Sequence, residues 1–230
     1  REMARRGWNV KVITSDRGFE DPSLRYPKRE QLDGVDVKRV CWSSFGKRTI
    51  FLRALAMGMF MLHCLWAVTA ERKVDFILVS TSPPLCGFAA GLAKTIRGIP
   101  FLYWVMDLNP DQLIVLGKTT EGSITARVSN WLQRFILKRA RHVVPLDRFM
   151  AERINAKRDV SDKMTIIPPW PHAEADESLP HAENWFREKQ NLNGSFVFMY
   201  SGNHGFSTPV GMMLDAIATF EDRDDALFMF

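Results

Sequence analysis

One βαβ unit constrains the fold of this chain more than any other sequence feature. It is the stretch DFILVSTSPPLCGFAAGLAKTIRGIPFLYWV, residues 75–105, in which an apolar run, a loop with two prolines and a helical pattern precede a second apolar run. This order matches a buried strand, a helix ended by Gly98 and a second buried strand. Two strands joined through a helix are parallel, and parallel sheets are covered by helices on both faces. The stretch therefore predicts an α/β fold.

The same alternation extends along the chain. The predicted strands are Val10–Thr14, Val35–Val40, Phe76–Ser80, Phe101–Val105, His142–Pro145, Met164–Ile167 and Phe196–Tyr200. The predicted helices are Phe51–Glu71, Leu85–Arg97, Ser123–Arg139 and Arg148–Ala156. In parallel sheets ligands collect at the carboxyl ends of the strands, so the loops after these strands are the places to look for a functional site.

A change of composition after Ile167 predicts a domain boundary near Pro168. The stretch PPWPHAEADESLPHAENW is rich in proline, acidic residues and histidine, which is typical of a linker or surface loop. A short helix (AENWFREKQ) and a new strand follow it. The opening REMARRG reads as the end of a helix capped by Gly7, and the closing ALFMF reads as the start of a strand, so we expect a fragment of a longer protein.

Composition and charge exclude several classes of protein. The 46% of hydrophobic and 25% of charged residues are ordinary for a globular chain, and the net charge of +5 comes from scattered basic residues. No basic motif interleaved with aromatic residues supports nucleic-acid binding. The three cysteines form no CxxC pair and the five histidines have no ligand spacing. We therefore expect a reducing compartment and no metal site.

The stretch ALAMGMFMLHCLWAV raises the question of a membrane segment. It is almost wholly apolar but spans only 15 residues, short of the roughly 20 that a transmembrane helix needs. Arg53 precedes it and His63 interrupts it. The stretch predicts a helix that is buried or lies at a membrane surface.

Three strand-end loops carry candidate functional residues. In WVMDLNPD, Asp107 and Asp111 follow a buried strand and could orient or deprotonate a hydroxyl, although Asp-x-x-Pro-Asp is also a turn signature. In STSPPL, the hydroxyls of residues 80–82 could bind a sugar or a phosphate, or cap the next helix.

The third loop is SGNHG, residues 201–205, ahead of a helix signal with Thr208 as N-cap and Pro209 at the first helical position. Gly202 and Gly205 would let backbone N–H groups approach a diphosphate, and the helix N-terminus would add positive charge. A tight turn that needs glycine for its geometry alone is the alternative.

Five stretches in this order resemble glycosyltransferase family 4, in particular bacterial enzymes of exopolysaccharide, capsule or O-antigen synthesis. They are WNVKVIT, the segment from DFILVS to DLNPD, LDRFMAERI, KMTIIPPW and FVFMYSGNHG. The resemblance implies the GT-B fold, with two Rossmann-like domains facing across a cleft. It implies that residues 1–167 are an acceptor-binding domain without its first strand. Residues 168–194 would be a linker with an interdomain helix, and residues 195–230 the start of the nucleotide-sugar domain.

The resemblance implies a retaining glycosyltransferase of hexosyltransferase type, without a cofactor or a metal. It would move a sugar from a nucleotide-sugar to a lipid-linked or polysaccharide acceptor, and act in the cytoplasm at the inner face of the plasma membrane as a peripheral protein. No nucleic-acid partner is implied. The chain by itself is expected to be inactive, because the glutamates that grip the donor would lie beyond Phe230. The identity of the sugar, nucleotide and acceptor and the oligomeric state are left open.

Matching the family motifs assigns residues to roles. Asp107 matches the catalytic loop, and Ser80, Ser82, Asn109 and Asp111 fall on the acceptor side. The residues that match the loop for the donor diphosphate are Ser201, Gly202, Asn203 and Gly205.

Two departures from the family pattern, Met106 and Phe206, stand where many members carry a basic residue. They motivate one alternative, a non-catalytic GT-B subunit that acts as a scaffold. The other alternative is a nucleotide-sugar epimerase of the same fold.

Overall fold

The computed structural model describes residues 1–18, 21, 23–41, 50–71, 73–82, 86–169, 179–192, 194–202, 210–223 and 225–230. The chain divides into two compact units, Arg1–Pro168 and Pro169–Phe230. The first unit contains strands β1 (Val10–Ser15), β2 (Arg29–Leu32), β3 (Val35–Val40), β4 (Ile77–Ser80), β5 (Phe101–Trp104) and β6 (His142–Val144). Its helices are α1 (Glu2–Arg5), α2 (Ile50–Ala70), α3 (Cys86–Arg97), α4 (Asp111–Val115), α5 (Ile124–Arg139) and α6 (Arg148–Lys157).

The predicted βαβ unit is confirmed. Strands β4, β5 and β6 form a parallel sheet in that order, with Ser80 of β4 paired with Trp104 of β5. The hydrophobic core cluster of the first unit includes β5, where Phe101 and Tyr103 are almost fully buried. The carboxyl ends of β4 and β5 therefore lie side by side above a buried core.

Helix α3 approaches this sheet closely through two glycines. A Cβ atom on Gly87 would lie 2.9 Å from the Tyr103 ring, and one on Gly91 would lie 2.6 Å from the Phe135 ring of α5. Both distances are shorter than an ordinary carbon–carbon contact. The absence of side chains at these two positions is thus what allows α3 to pack against β5 and α5.

The other sheet of the first unit contains a strand that the sequence analysis missed. Strand β1 pairs in parallel with β3, and β2 pairs antiparallel with β3 through a turn at Asp33 and Gly34, both with positive φ. β2 has the sequence REQL and is largely exposed, so no apolar pattern marks it. The Asp-Gly dipeptide ahead of β3 was the available hairpin signal.

Two further differences concern short segments near the sheet. The predicted strand Met164–Ile167 makes a single bridge, from Met164 to Val143, and continues beside β6 through hydrogen bonds rather than as a full strand. The five-residue helix α4 directly after Pro110 was not predicted. The predicted helix end at the start of the chain is confirmed, since α1 is followed by Gly7 with a φ of 85°.

The second unit consists of short elements. They are α7 (Trp185–Lys189), β7 (Phe196–Met199), α8 (Val210–Ala218) and β8 (Ala226–Met229), and β7 pairs in parallel with β8. The two strands share an aromatic cluster in which the Phe198 and Phe228 rings stack at 4.8 Å. A strand, a helix and a parallel strand follow one another here, as in the first unit.

Candidate functional site

The loops after β4 and β5 are joined by one threonine hydroxyl. The Oγ1 atom of Thr81 accepts hydrogen bonds from the backbone N–H groups of Met106 at 3.1 Å and Asp107 at 3.0 Å. Because the parallel strands end side by side, the residue after β4 faces the loop after β5. The hydroxyl thus continues the pairing of the two strands beyond their last backbone contact.

From residue 107 to residue 110 the loop alternates between side chains that are exposed or half-buried and side chains that are buried. Leu108 is 7% exposed and Pro110 is almost fully buried, so both anchor the loop to the core. Asp107 is exposed and Asn109 is half-buried. The peptide bond between Asn109 and Pro110 is cis. Asp107 and Asn109, two of the polar residues that the sequence predicted for the site, thus lie on an anchored loop and not in the interior.

Asp111 is engaged with α6. Its carboxylate lies 2.6 Å from the Nζ atom of Lys157 and 3.7 Å from a guanidinium nitrogen of Arg153. Lys157 also donates to the Oδ1 atom of Asn130 at 2.6 Å, which ties α5 into the same network. Asp111 therefore fastens the far end of the loop, whereas Asp107 carries an exposed carboxylate. The contact of Asp111 with an acceptor stays a prediction.

Ser80 and Ser82 form a local turn. The Ser80 hydroxyl donates to the Ser82 carbonyl oxygen at 2.8 Å, and the Ser82 N–H lies 3.4 Å from the same hydroxyl. Residues 83–85, on which the alternative helix-cap interpretation of this loop depends, lie outside the described part of the chain. The binding of a sugar by either serine stays a prediction.

A buried phenol lies beneath the loop. Burial raises the pKa of Tyr103 to about 12, the hydrogen bond with Gln133 opposes this shift, and the negative charge of Asp107 adds to it. Tyr103 therefore stays protonated and neutral at physiological pH.

Two thiols meet where α2 contacts the start of α3. The pKa of the Cys86 thiol is lowered because the Cys64 thiol donates a hydrogen bond to it, while that hydrogen bond and burial raise the pKa of Cys64. Cys86 is the first residue of α3, where the helix dipole also favours a thiolate. Cys86 is thus the more acidic thiol of the pair.

The predicted donor loop is described only in part. Ser201 and Gly202 are exposed just beyond the end of β7, and α8 begins at Val210. Asn203 and Gly205 lie outside the described residues, as do the predicted N-cap Thr208 and Pro209. Within the described ranges, no group of three or more His, Cys, Asp or Glu side chains is placed to hold a metal ion.

Sequence reasoning proposed Asp107 as a candidate but did not identify the residues that fix its loop. Thr81 was considered only as a ligand or a helix cap, although its place after a strand was a usable signal. Lys157 carried no signal, because its contact with Asp111 joins residues that are far apart in the chain. Such a contact depends on the packing of α6.

The parallel strands, with helices packed against them, define this chain as an α/β protein. This chain is similar to the solved structure of a sucrose-phosphate synthase from Thermosynechococcus elongatus, with a TM-score of 0.68 and 15% sequence identity. The match covers 99% of this chain and 53% of the synthase chain. This likeness shows the fold and confirms the predicted GT-B class.

Sequence comparison places the chain in a family. The family described as "Glycosyl transferase 4-like domain" matches residues 1–170, so the chain belongs to this glycosyltransferase family. A relative, "Probable glycosyltransferase WbjE" of Pseudomonas aeruginosa, is 25% identical over 159 residues. That match covers 69% of this chain and 40% of the relative, so the chain spans less than half the length of this curated protein.

Proposed function

We propose that the whole protein transfers a sugar, with retention of configuration, from a nucleotide-sugar to a glycan or polyprenyl-linked acceptor in cell-surface glycan synthesis. The family supports a transferase. The observation that carries the proposal is the exposed Asp107 carboxylate at the joined ends of β4 and β5, on a loop fastened by Thr81 and Asp111. A carboxylate in this position is suited to orient or deprotonate the acceptor hydroxyl.

The donor would bind to the second unit. Ser201 and Gly202 follow β7, and the sequence places Asn203 and Gly205 between them and α8. Backbone N–H groups and the N-terminus of α8 would stabilise the leaving diphosphate without a metal. This role is proposed from the motif and from the order strand, loop, helix.

The test of the transferase proposal uses the full-length protein, a panel of nucleotide-sugars and a polyprenyl-linked acceptor. Asp107→Asn keeps the size of the side chain and removes the charge, so transfer is expected to fall by about 100-fold or more. Glu121→Gln, an exposed carboxylate change outside the loop, is the matched control and should retain transfer. Full transfer by Asp107→Asn would refute the assigned role, and conversion of the nucleotide-sugar without an acceptor would indicate an epimerase.

We further propose that helices α2, α3 and α5 contact an anionic membrane surface. Helix α3 packs against both α2 and α5. The three helices contain no Asp or Glu, but one basic residue in α2, two in α3 and four in α5. Leu55, Leu62 and Trp66 form an exposed apolar stripe on α2. Apolar side chains with surrounding basic charge favour binding at an anionic lipid surface.

No helix in the described ranges is both long and apolar enough to span a bilayer. We propose that the contact is peripheral and lies at the inner face of the plasma membrane. Co-sedimentation of the full-length protein with phosphatidylglycerol vesicles tests it, and binding should weaken with salt and be lost with phosphatidylcholine. The double variant Leu62→Gln, Trp66→Gln should bind less. Val115→Gln changes an apolar residue on α4 that is more exposed than Leu62 and Trp66, and this variant should bind as before. Equal binding by the wild type and both variants would refute the proposal.

A further inference from the structure

The Thr81 hydroxyl links the loop after β4 to the backbone at Met106 and Asp107. Its Oγ1 atom accepts from two consecutive N–H groups, at 3.1 Å from Met106 and 3.0 Å from Asp107. A hydroxyl oxygen has two acceptor positions, and these two bonds occupy both. The Thr81 hydroxyl is therefore not available to accept a hydrogen bond from a sugar.

The position of Thr81 follows from the end of the sheet. The N–H of Val105 donates to the Val144 carbonyl at 2.9 Å, so β5 still pairs with β6 at this residue. The next two N–H groups, of Met106 and Asp107, turn toward β4, where Ser80 is the last paired residue. In the described part of the chain, no backbone carbonyl of β4 beyond Ser80 is paired with β5, and the Thr81 hydroxyl oxygen is the hydrogen-bond acceptor for these two N–H groups. These backbone donors are thus satisfied at the point where the candidate catalytic side chain begins.

The loop is fastened again four residues further on, where Asp111 pairs with Lys157 at 2.6 Å. Between the two attachments, Leu108 and Pro110 are buried. The backbone that carries Asp107 is therefore fixed on both sides by contacts that do not use the Asp107 carboxylate. That carboxylate is left exposed for a substrate.

We propose that Thr81 is a positioning residue, which acts through the backbone to set the place of the Asp107 carboxylate. The assignment rests on the proposed function of Asp107 in sugar transfer. Thr81 itself does not contact the reacting atoms. A displacement of about 1 Å in a group that must meet a substrate can lower a rate by about 100-fold.

The experiment compares three variants of the full-length protein. Thr81→Val keeps the shape and loses the acceptor, and Thr81→Ser keeps the acceptor and loses only a methyl group. Thr95→Val is the matched control, because it removes a hydroxyl that accepts from the Arg139 Nε atom at 2.8 Å, away from the loop. The two readouts are amide hydrogen exchange of the segment with Met106 and Asp107, and kcat and KM for transfer.

Thr81→Val should exchange these two amides about tenfold faster and lower kcat by about 10- to 100-fold, with a smaller change in KM for the donor. In Thr81→Ser both the amide exchange and kcat should stay within about threefold of the wild-type values. Thr95→Val should change neither. Unchanged exchange at Met106 and Asp107 in Thr81→Val would overturn the proposal, as would a kcat in Thr81→Val equal to that of the wild type.

The exchange readout separates this proposal from the proposed function. If Asp107→Asn transfers sugar normally, the role of Asp107 fails, and with it the catalytic consequence of Thr81. Faster exchange in Thr81→Val together with normal transfer would show a purely structural contact, which contradicts positioning.

Discussion

Replacement of Gly87 by alanine is expected to destabilise the protein, although alanine is the better helix former. A Cβ atom at position 87 would lie 2.9 Å from the Cε2 atom of Tyr103 and 3.1 Å and 3.3 Å from two methyl carbons of Ile136. Carbon atoms attract each other best at about 3.5–4.0 Å. Tyr103 and Ile136 are 3% and 5% exposed, so neither has free space to move into.

Gly58 in α2 provides the matched control, because a Cβ atom there would meet nothing within 4 Å. Each substitution gains about 1 kcal/mol from helix propensity. Overpacking of a buried site costs about 1–3 kcal/mol, and this cost applies only at Gly87. The difference in unfolding free energy between the two variants therefore isolates the packing penalty, with Gly58→Ala the more stable by about 1–3 kcal/mol.

Urea unfolding of the wild type and both variants measures this difference, with circular dichroism and tryptophan fluorescence as probes. The slope of free energy against urea should be the same in the three proteins, because the surface exposed on unfolding is the same. Equal stability of Gly87→Ala and Gly58→Ala would refute the close approach of α3 to Tyr103. A Gly87→Ala variant more stable than the wild type would refute it more directly.

Three further predictions concern the site and its surroundings. Lys157→Met keeps an apolar stem but leaves Asp111 and Asn130 without their shared donor, so the free energy of unfolding should fall by about 1–3 kcal/mol. An unchanged midpoint in urea would contradict that network. Cys64→Ala removes the hydrogen bond that lowers the pKa of Cys86, so the pH at which iodoacetamide labels Cys86 at half its maximal rate should move upward, as mass spectrometry of the labelled peptide would show. If the pH of half-maximal labelling stayed the same or fell, the hydrogen bond between Cys64 and Cys86 would be contradicted. The 230-residue chain alone should not turn over a nucleotide-sugar, and detectable turnover in a product assay would refute that expectation.

Local patterns sufficed for the regular elements with strong apolar periodicity. The βαβ unit through Gly98 was predicted because a buried parallel strand is a continuous apolar run and a helix covers it. Strand β2 was not predicted, because it lies at an exposed edge of its sheet, where neither a run nor an alternation of apolar residues is required. The strand predicted at Met164–Ile167 was wrong for the opposite reason. The segment is apolar enough for a strand, but only Met164 forms a bridge with β6.

The candidate site divides in the same way. Asp107 could be proposed as a candidate from the sequence, because strand ends in parallel sheets are adjacent and a carboxylate after a buried strand is a local signal. The distinct environments of Asp107 and Asp111 could not be predicted, since both follow the same strand. They differ because α6 brings Lys157 to one carboxylate and leaves the other exposed.

The sequence by itself thus determined the order of strands and helices, the family resemblance and the loops that carry polar groups, because each of these depends on residues that are near one another in the chain. The tertiary structure alone decided which groups act together. The hydrogen bond from the Asp107 N–H to the Thr81 hydroxyl spans 26 positions, and the hydrogen bond from Lys157 to Asn130 spans 27. Contacts of this kind exist only once β4 lies beside β5 and α6 packs near α5, and no local pattern specifies them.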